Sequence, residues 1–401
     1  MKKYKKILIV SECFYPEEFK INDVALSWSN MGYEIDVLTL VPTYPAGKVY
    51  AGYKNRFLFY KEKYQGINII RIRAVTGYKH SLIKKCLRYL NFMVIGSLIA
   101  IFTGKKYDYV FGWNGGALTD MLPAVFINKL YKKPTMFWVQ DVWPDSVYAY
   151  GFKKTKILSI PLDIFVKFIY YNSTSLAISS NGFKSKLEPY SNKNMNFHYA
   201  PNWADDLNMD MDAASLSETS KVQLTFAGNI GKVQNLENII NAFNLLSEEY
   251  QKKSQLNIIG DGSNFDDLKL LAKSNENIIF HGKKPRADMA SYYKASDFLI
   301  ISLIDKPIFS VTVPAKTQTY IAAKKPILAI IKGDVAKIVN DNGLGVCSDP
   351  SDIDLIKNAY ERCIDMPEQE KSKFIANNAH LLETTFNKKS IINKLLTQLI
   401  N

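Results

Sequence analysis

Short apolar runs recur along this chain. Each is bounded by turn residues and followed by a stretch whose apolar positions return every three or four residues. That alternation predicts strands and helices in turn, the pattern of parallel α/β sheets. In the first half the predicted strands are Ile7–Ser11, Ile35–Thr39, Ile67–Arg73, Tyr109–Gly112, Met136–Val139 and Ser175–Ile178. A second series follows: Gln223–Ala227, Gln255–Ile259, Ile278–His281, Phe298–Leu303, Ile327–Ile331 and Gly345–Cys347. Between the two lies an acidic, serine-rich stretch from Asp205 to Ser220 that lacks large aliphatic periodicity and reads as a linker. At 401 residues the chain is also long for one core. The expectation is an α/β protein of two Rossmann-like, doubly wound parallel-sheet domains. They are residues 1–203 and 222–384, joined by a linker at 204–221. A C-terminal helix at about 385–401 is available to pack back on the first domain. Two such sheets are expected to face a cleft, with ligands at the carboxyl ends of their strands.

Charge changes this picture in one respect. Residues 1–200 hold 28 Lys+Arg against 13 Asp+Glu, whereas residues 201–401 hold 23 against 25. A basic half beside a neutral one points to a single domain that meets an anionic surface. No nucleic-acid motif accompanies the charge, so anionic lipid is the favoured partner. The apolar run Leu90–Phe102 is too short to span a bilayer and reads as a core helix. The basic stretch before it, Tyr78–Tyr89, reads as a membrane-surface segment with Leu82, Ile83 and Leu87 among its lysines. Cys13, Cys86, Cys347 and Cys363 share no metal-type spacing and read as reduced thiols. Lys2–Lys6 is followed by too short an apolar run for a signal peptide, so a cytoplasmic location is expected.

Candidate chemistry gathers at strand ends. Val311–Tyr320 places Pro314 in a short loop before a helix that opens at Lys316. Helix openings carry unpaired N–H groups and suit phosphates. Lys316, Thr312, Thr317 and Thr319 are expected around this one. In Phe226–Asn235, Gly228 and Gly231 allow close backbone approach, and Lys232 supplies charge. The spacing is not that of a dinucleotide fingerprint, and a plain turn is the competing reading. The Ile258–Gly262 turn reads as a tight loop, with Asp261 capping the helix after it. Phe280–Lys283 could present backbone to a planar base, with a structural His281 equally in view. Trp138, Asp141, Trp143 and Asp145 combine aromatic faces with acids at a strand end, which suits sugars; the bland reading is a capped helix start. Two Asp-x-Asp strings, at Asp210–Asp212 and Asp352–Asp354, lie in the linker and on a surface helix, so no metal site is expected. The four histidines, including His80, His198 and His380, form no triad pattern.

Several strings together resemble the retaining glycosyltransferases of family four, with the GT-B fold. They are most similar to the bacterial O-antigen and capsule L-fucosamine transferases. They are Phe14–Glu18 with Asn22 and Asp23, Pro42–Gly47, Val139–Ser146, Ala200–Trp203, Ala227–Gly231 and Val313–Gln318. The resemblance departs from the wider family where an Arg and a Lys are replaced by Asn229 and Gln234, and where two glutamates are replaced by Val311 and Thr319. It implies a transferase that moves an N-acetylated amino sugar, N-acetyl-L-fucosamine being one candidate, from a UDP donor to a polyprenyl-diphosphate-linked saccharide. The implied donor residues are Gly228, Asn229, Gly231, Lys232, Gln234, His281, Lys283, Thr312, Pro314, Ala315, Lys316, Thr317 and Gln318. Asp141 and Asn22 are the implied catalytic residues. Glu17, Asp23, Trp138, Trp143 and Asp145 fall on the acceptor side. No cofactor or metal is implied, and the place of work is the inner face of the plasma membrane. Two alternatives stand beside this one: a UDP-sugar 2-epimerase on the same fold, and a weakly catalytic nucleotide-sugar-binding subunit.

Overall fold

The computed structural model describes residues 5–79, 81–149, 152–204, 207, 209–214, 216 and 220–401. His80 and much of the expected linker, including Asp205, Asp206 and residues 217–219, lie outside that set. The chain divides into two compact units. The first runs up to Pro201 and takes in Ile391–Asn401; the second is Asn202–Ser390.

The first unit is built on an eight-stranded sheet: β1 (Lys6–Val10), β2 (Glu34–Leu40), β3 (Phe59–Tyr64), β4 (Ile67–Ile72), β5 (Tyr109–Asn114), β6 (Thr135–Val139), β7 (Ser175–Ile178) and β8 (Asn196–Tyr199). Their spatial order is β3-β4-β2-β1-β5-β6-β7-β8. All pairings are parallel except β3 with β4. The apolar runs become central strands because both sheet faces are covered. β3 is a correction to the sequence reading. Its Phe-Tyr-Lys-Glu-Lys-Tyr string alternates exposed and half-buried positions, as an edge strand does. It returns to β4 through Gln65 and Gly66, both at positive φ, the two-residue hairpin turn that matches strand twist. β8 is a second strand absent from that reading.

The helices of this unit include α1 (Lys20–Asn30), α2 (Leu82–Thr103), α3 (Leu122–Tyr131), α4 (Asp145–Ala149) and α5 (Lys156–Tyr171). The reading of Leu90–Phe102 as buried core holds for one face of α2 only. Arg88, Phe92, Gly96, Ser97 and Ala100 face inward. Gly96 allows close packing, since a Cβ there would stand 3.0 Å from Pro123 of α3. The outer face exposes Ile83, Leu87, Leu90, Val94, Leu98 and Phe102, the last 83% exposed. α2 is long and apolar enough to cross a membrane, yet its inner face is part of this unit's packing. At the C-terminus, Ile391, Ile392, Leu395, Leu396 and Leu399 are buried, and the Trp28 indole donates to the Ile392 carbonyl at 3.2 Å.

The second unit carries a six-stranded, wholly parallel sheet: β9 (Val222–Ala227), β10 (Ser254–Ile259), β11 (Ile278–Gly282), β12 (Phe298–Ser302), β13 (Ile327–Ile330) and β14 (Gly345–Ser348). Their order is β11-β10-β9-β12-β13-β14. One face packs Phe226, Ile239, Phe243, Ile258, Ile300 and Tyr360 into a core; the other packs Tyr293, Leu299, Ile301, Tyr320 and Ile327.

Candidate functional site

Each sheet reverses its winding at one place, between β1 and β5 in the first unit and between β9 and β12 in the second. Open α/β sheets bind ligands outside the carboxyl ends of strands at such points. The predicted site residues divide between these two places.

At the β9/β12 point, the loop Gly228–Gly231 is engaged with its own neighbours. The amides of Gly228 and Ile230 donate to the carbonyls of Ile259 and Asp261, both at 2.9 Å. Gly231 donates to the Gln234 side chain at 3.0 Å. Asn229 and Gln234 meet each other at 3.4 Å. The expected phosphate cradle over these glycines is therefore closed from within. Their neighbours explain the glycine content of the region: a Cβ at Gly260 would lie 1.8 Å from the Gly228 carbonyl oxygen, and one at Gly262 would lie 2.3 Å from that of Ile230. Lys232 stands exposed on the short Lys232–Gln234 turn.

Lys316 behaves differently. A Cβ at Gly228 would overlap its Cε at 2.4 Å, so the lysine lies directly over the end of β9. Its ammonium sits 3.6 Å from the centre of the Phe226 ring. No carboxylate pairs with it among the described residues, and burial pulls its pKa down to about 7. Lys316 belongs to the helix Ala315–Ala322, whose opening at Pro314 has no side-chain cap. Helix geometry leaves its first amides without partners in the preceding turn, although that of Thr317 donates to the Pro314 carbonyl at 2.9 Å. The threonines expected to surround them do not. Thr312 and Thr319 donate to the carbonyls of Ile308 and Ala315, four residues back, at 2.8 and 3.0 Å. Thr317 is buried with its hydroxyl unpartnered, and buried Gln318 donates back to the Pro314 and Ala315 carbonyls.

His281 is bound up in a ladder across the sheet. Its Nε2 meets Asn257 Oδ1 at 2.8 Å, and Asn257 donates to Gln223 at 2.8 Å. Burial, then the Lys284 charge, lowers its pKa. This is the structural histidine of the two readings; Lys283 beside it is exposed.

The β1/β5 point is rich in carboxyls. Glu12 follows β1 and accepts from the Arg88 guanidinium of α2. Arg88 also donates to Thr43 at 2.7 Å and reaches Cys13 Sγ at 3.8 Å. Asp120 is wholly buried beside Glu12; burial and then the Glu12 charge drive its pKa well above the carboxylate range. Glu17 accepts from the amides of Thr43 and Tyr44 at 2.7 and 2.6 Å, and its pKa rises chiefly through burial. Glu12 and Asp120 were not picked from sequence, and Arg88 was read there as one of the basic residues of the membrane-surface stretch, whereas it is 4% exposed and faces inward. The available signal was spacing: Arg88, Phe92, Gly96 and Ala100 stand four apart on one helix face.

Two predicted residues change role here. The Asn22 amide braces a loop: its oxygen accepts from Tyr15 N at 3.2 Å and its nitrogen donates to the Glu17 carbonyl at 2.7 Å. It is not free for catalysis. Trp138 is fully buried and donates to the Ala200 carbonyl at 2.9 Å, so it is core and not a sugar platform. Asp23 lies in the first turn of α1. Trp143 is half-buried, and Asp145 opens α4 with Lys186 at 3.3 Å. Asp141 follows β6, partly buried. No group among the described residues hydrogen-bonds its carboxyl, and burial alone raises its pKa to about 6. Among those residues no cluster of three or more His, Cys, Asp or Glu could hold a metal ion.

Residues 210–381 match the model of the glycosyl transferases group 1. That group 1 domain is the second unit's sheet with Lys316 at its switch point. The chain is 27% identical over 226 residues to the protein named "Probable glycosyltransferase WbjE" of Pseudomonas aeruginosa, covering 53% of this chain. The match spans 56% of WbjE's own length. Among solved structures, sucrose-phosphate synthase from Thermosynechococcus elongatus superposes with a TM-score of 0.71 at 14% identity, over 98% of both chains. Anabaena HepE in complex with UDP and glucose gives 0.64 at 11% identity, over 99% of both. At such identities these likenesses show the fold: the chain carries two Rossmann-like α/β domains of the GT-B class.

Proposed function

We propose that this protein is a retaining glycosyltransferase that takes its sugar from a UDP donor held by the second unit. The observation that carries the reading is the Lys316 ammonium, desolvated over Phe226 without an anion, at the start of an uncapped helix. A diphosphate arriving there would meet leftover amides and a lysine whose charge it restores. As the sugar–phosphate bond breaks, charge gathers on the leaving oxygen, where these groups stabilise it. HepE's complex with UDP and glucose supports UDP as the nucleotide. The first unit takes the acceptor. Asp141, unpaired and poised near neutrality, is the group there best placed to receive or hold an acceptor proton.

The resemblance to O-antigen and capsule transferases supports an N-acetylated amino sugar, N-acetyl-L-fucosamine among the candidates. It supports a polyprenyl-diphosphate-linked saccharide as acceptor, on the inner face of the membrane, without a metal. The outer face of α2 favours that lipid contact. Ile83, 74% exposed, begins a line of apolar side chains that continues to Phe102, with Lys84 and Lys85 at its head. Apolar anchors beside basic residues suit an anionic bilayer. A calorimetric screen of UDP-, GDP- and dTDP-sugars should find binding with UDP donors, lost in Lys316→Met. Lys84→Glu with Lys85→Glu should reduce sedimentation with phosphatidylglycerol vesicles at low salt, by roughly 1 kcal/mol for each charge removed. A wild-type protein that binds no UDP compound sinks the donor assignment, and unchanged sedimentation sinks the membrane one.

A further inference from the structure

We infer that helices α2, α3 and α5 form one layer of the first unit that lies flat in the surface of an anionic phospholipid bilayer. Two apolar ridges, on α2 and on α5, enter the bilayer side by side, and α2 lies in its plane and not across it. This rests on the membrane contact proposed above and deepens it, from the head of one helix to a whole face and an orientation.

Topology puts the three helices together. In the strand order β3-β4-β2-β1-β5-β6-β7-β8, the connections through α2, α3 and α5 all step toward β8, whereas that through α1 steps from β1 the other way. Right-handed crossovers therefore set α2, α3 and α5 on one face of the sheet and α1 on the other. β5 shows both faces. Phe111 meets Trp28 of α1, with 4.9 Å between ring centres, and a Cβ on the next residue, Gly112, would lie 2.5 Å from the sulfur of Met121 at the start of α3. Side chains join the layer: the Tyr131 hydroxyl of α3 donates to the Ile101 carbonyl of α2, and Lys129 of α3 lies 5.2 Å from the centre of the Phe168 ring of α5.

The two faces differ in what they show to solvent. Neither α1 nor the C-terminal helix Lys388–Ile400 beside it exposes a large apolar side chain. On the other face α2 carries the line from Ile83 to Phe102, and α5 carries a second. Ile157, Ile160, Ile164 and Tyr171 stand on one side of α5, Ile157 being 90% exposed and Ile164 66%. Leu130 of α3 is exposed as well. Monomers in water seldom show apolar surface on that scale without a use. Charge names the occupant. Residues 82–106, 122–134 and 152–171, which hold the three helices, contain twelve Lys+Arg and one Asp+Glu. That acid, Asp163, accepts from the Tyr190 hydroxyl at 2.8 Å. A second copy of this face would set like charge against like, whereas an anionic bilayer satisfies the ridges and the lysines together. α2 has the length to cross a bilayer. Crossing would strip Arg88 from Glu12, carry its charge into hydrocarbon and leave the α5 ridge in water. Lying in the plane keeps the inner packing of α2 and buries both ridges.

Nitroxide labels test both the face and the tilt. The full chain with Cys86→Ser takes one label through Val94→Cys, Phe102→Cys, Ile164→Cys or Asn30→Cys, the last on α1. With phosphatidylglycerol vesicles, accessibility to oxygen against a nickel chelate gives the depth of each. The labels at Val94, Phe102 and Ile164 should share one shallow depth, and that at Asn30 should stay in water. Ile160→Ser with Ile164→Ser should cut vesicle binding about tenfold at high salt, where charge is screened and apolar area decides, with the melting temperature unchanged. A label at Ile164 that stays in water while that at Val94 is immersed overturns the inference and leaves the contact of α2 standing. A depth that grades from Val94 to Phe102, the mark of a crossing helix, overturns it too, as does vesicle binding by the serine pair equal to wild type. A dimer in solution that the serine pair separates overturns it in favour of a second copy. No vesicle binding by wild type removes the membrane reading altogether.

Discussion

The two switch points use the same strand–loop–helix construction and pose opposite electrostatic problems. In the first unit a buried arginine is surrounded by carboxyls, one of which, Asp120, has its pKa driven up by burial. In the second Lys316 lies on an aromatic ring with no carboxylate beside it among the described residues. A charge already balanced by the chain serves the chain: it fixes loops. A charge left unbalanced by the chain is an invitation to an anion. The proposed function rests on that contrast, with the anion expected at the unbalanced charge.

The comparison is broken most directly by substituting each cation with the same apolar residue. Arg88→Met should destabilise the first unit by about 3–5 kcal/mol, because it leaves Glu12 buried without its counter-charge. Lys316→Met should do the reverse. Its folded pKa of about 7 lies below the unfolded value, so the unfolded chain holds a proton that the folded one resists. That penalty is present at pH 7 and fades as pH rises toward 10.5. Removing the group should therefore raise stability near neutrality. Urea unfolding at pH 7, followed by probes in each unit, would show the two shifts. Shifts of the same sign would mean that Lys316 has a partner and that the contrast is false.

A smaller effect sharpens the anion side. If a diphosphate restores the charge on Lys316, binding takes up a proton at pH values above about 7. The affinity for UDP should then fall by up to about tenfold per pH unit from 7 toward 9. Lys316→Met should bind UDP weakly and with a flat profile. Calorimetry in two buffers of different ionisation enthalpy counts the proton directly. A level wild-type profile from pH 6.5 to 9 would move the phosphate elsewhere, with exposed Lys232 the next candidate.

How far each site was legible depends on what its residues are doing. The central strands and both series were plain, because runs buried on both faces read as continuous apolar segments. β3 was not, since an edge strand of Phe, Tyr, Lys and Glu alternates too weakly to stand out, though Gln65-Gly66 marked its turn. Lys316 was readable from one local fact, a lysine just inside a helix after proline. Gly228 and Gly231 misled, because a glycine needed to let another loop pass looks the same in sequence as one needed for a ligand. Trp138 misled for a related reason: an aromatic residue at a strand's end faces either the core or the crevice, and strand alternation across β6 settles it only once pairing is known. The Glu12–Arg88–Asp120 cluster joins residues from β1, α2 and the segment after β5. No local spacing joins the three, and the one hint was Arg88 in register with Phe92, Gly96 and Ala100 on the inward face of α2.

The smallest expected effect concerns Asp141, which stands apart from both balanced and unbalanced charges. Burial alone raises its pKa to about 6, above the ordinary 3.8, so the ionised form is disfavoured in the folded state above that value. Asp141→Asn should therefore leave stability at pH 7 unchanged or raise it by roughly 1 kcal/mol, the carboxyl being only partly shielded from water. A capping or bracing residue would lose stability instead, as the loss of an N-cap does. Turnover separates the roles further. UDP affinity should stay at the wild-type value while kcat falls, and the limb of the pH–rate profile near 6 should vanish with the carboxyl. Should that limb persist in the asparagine variant, the titrating group lies elsewhere, and buried Asp120, whose pKa is also raised, becomes the group to test in its place.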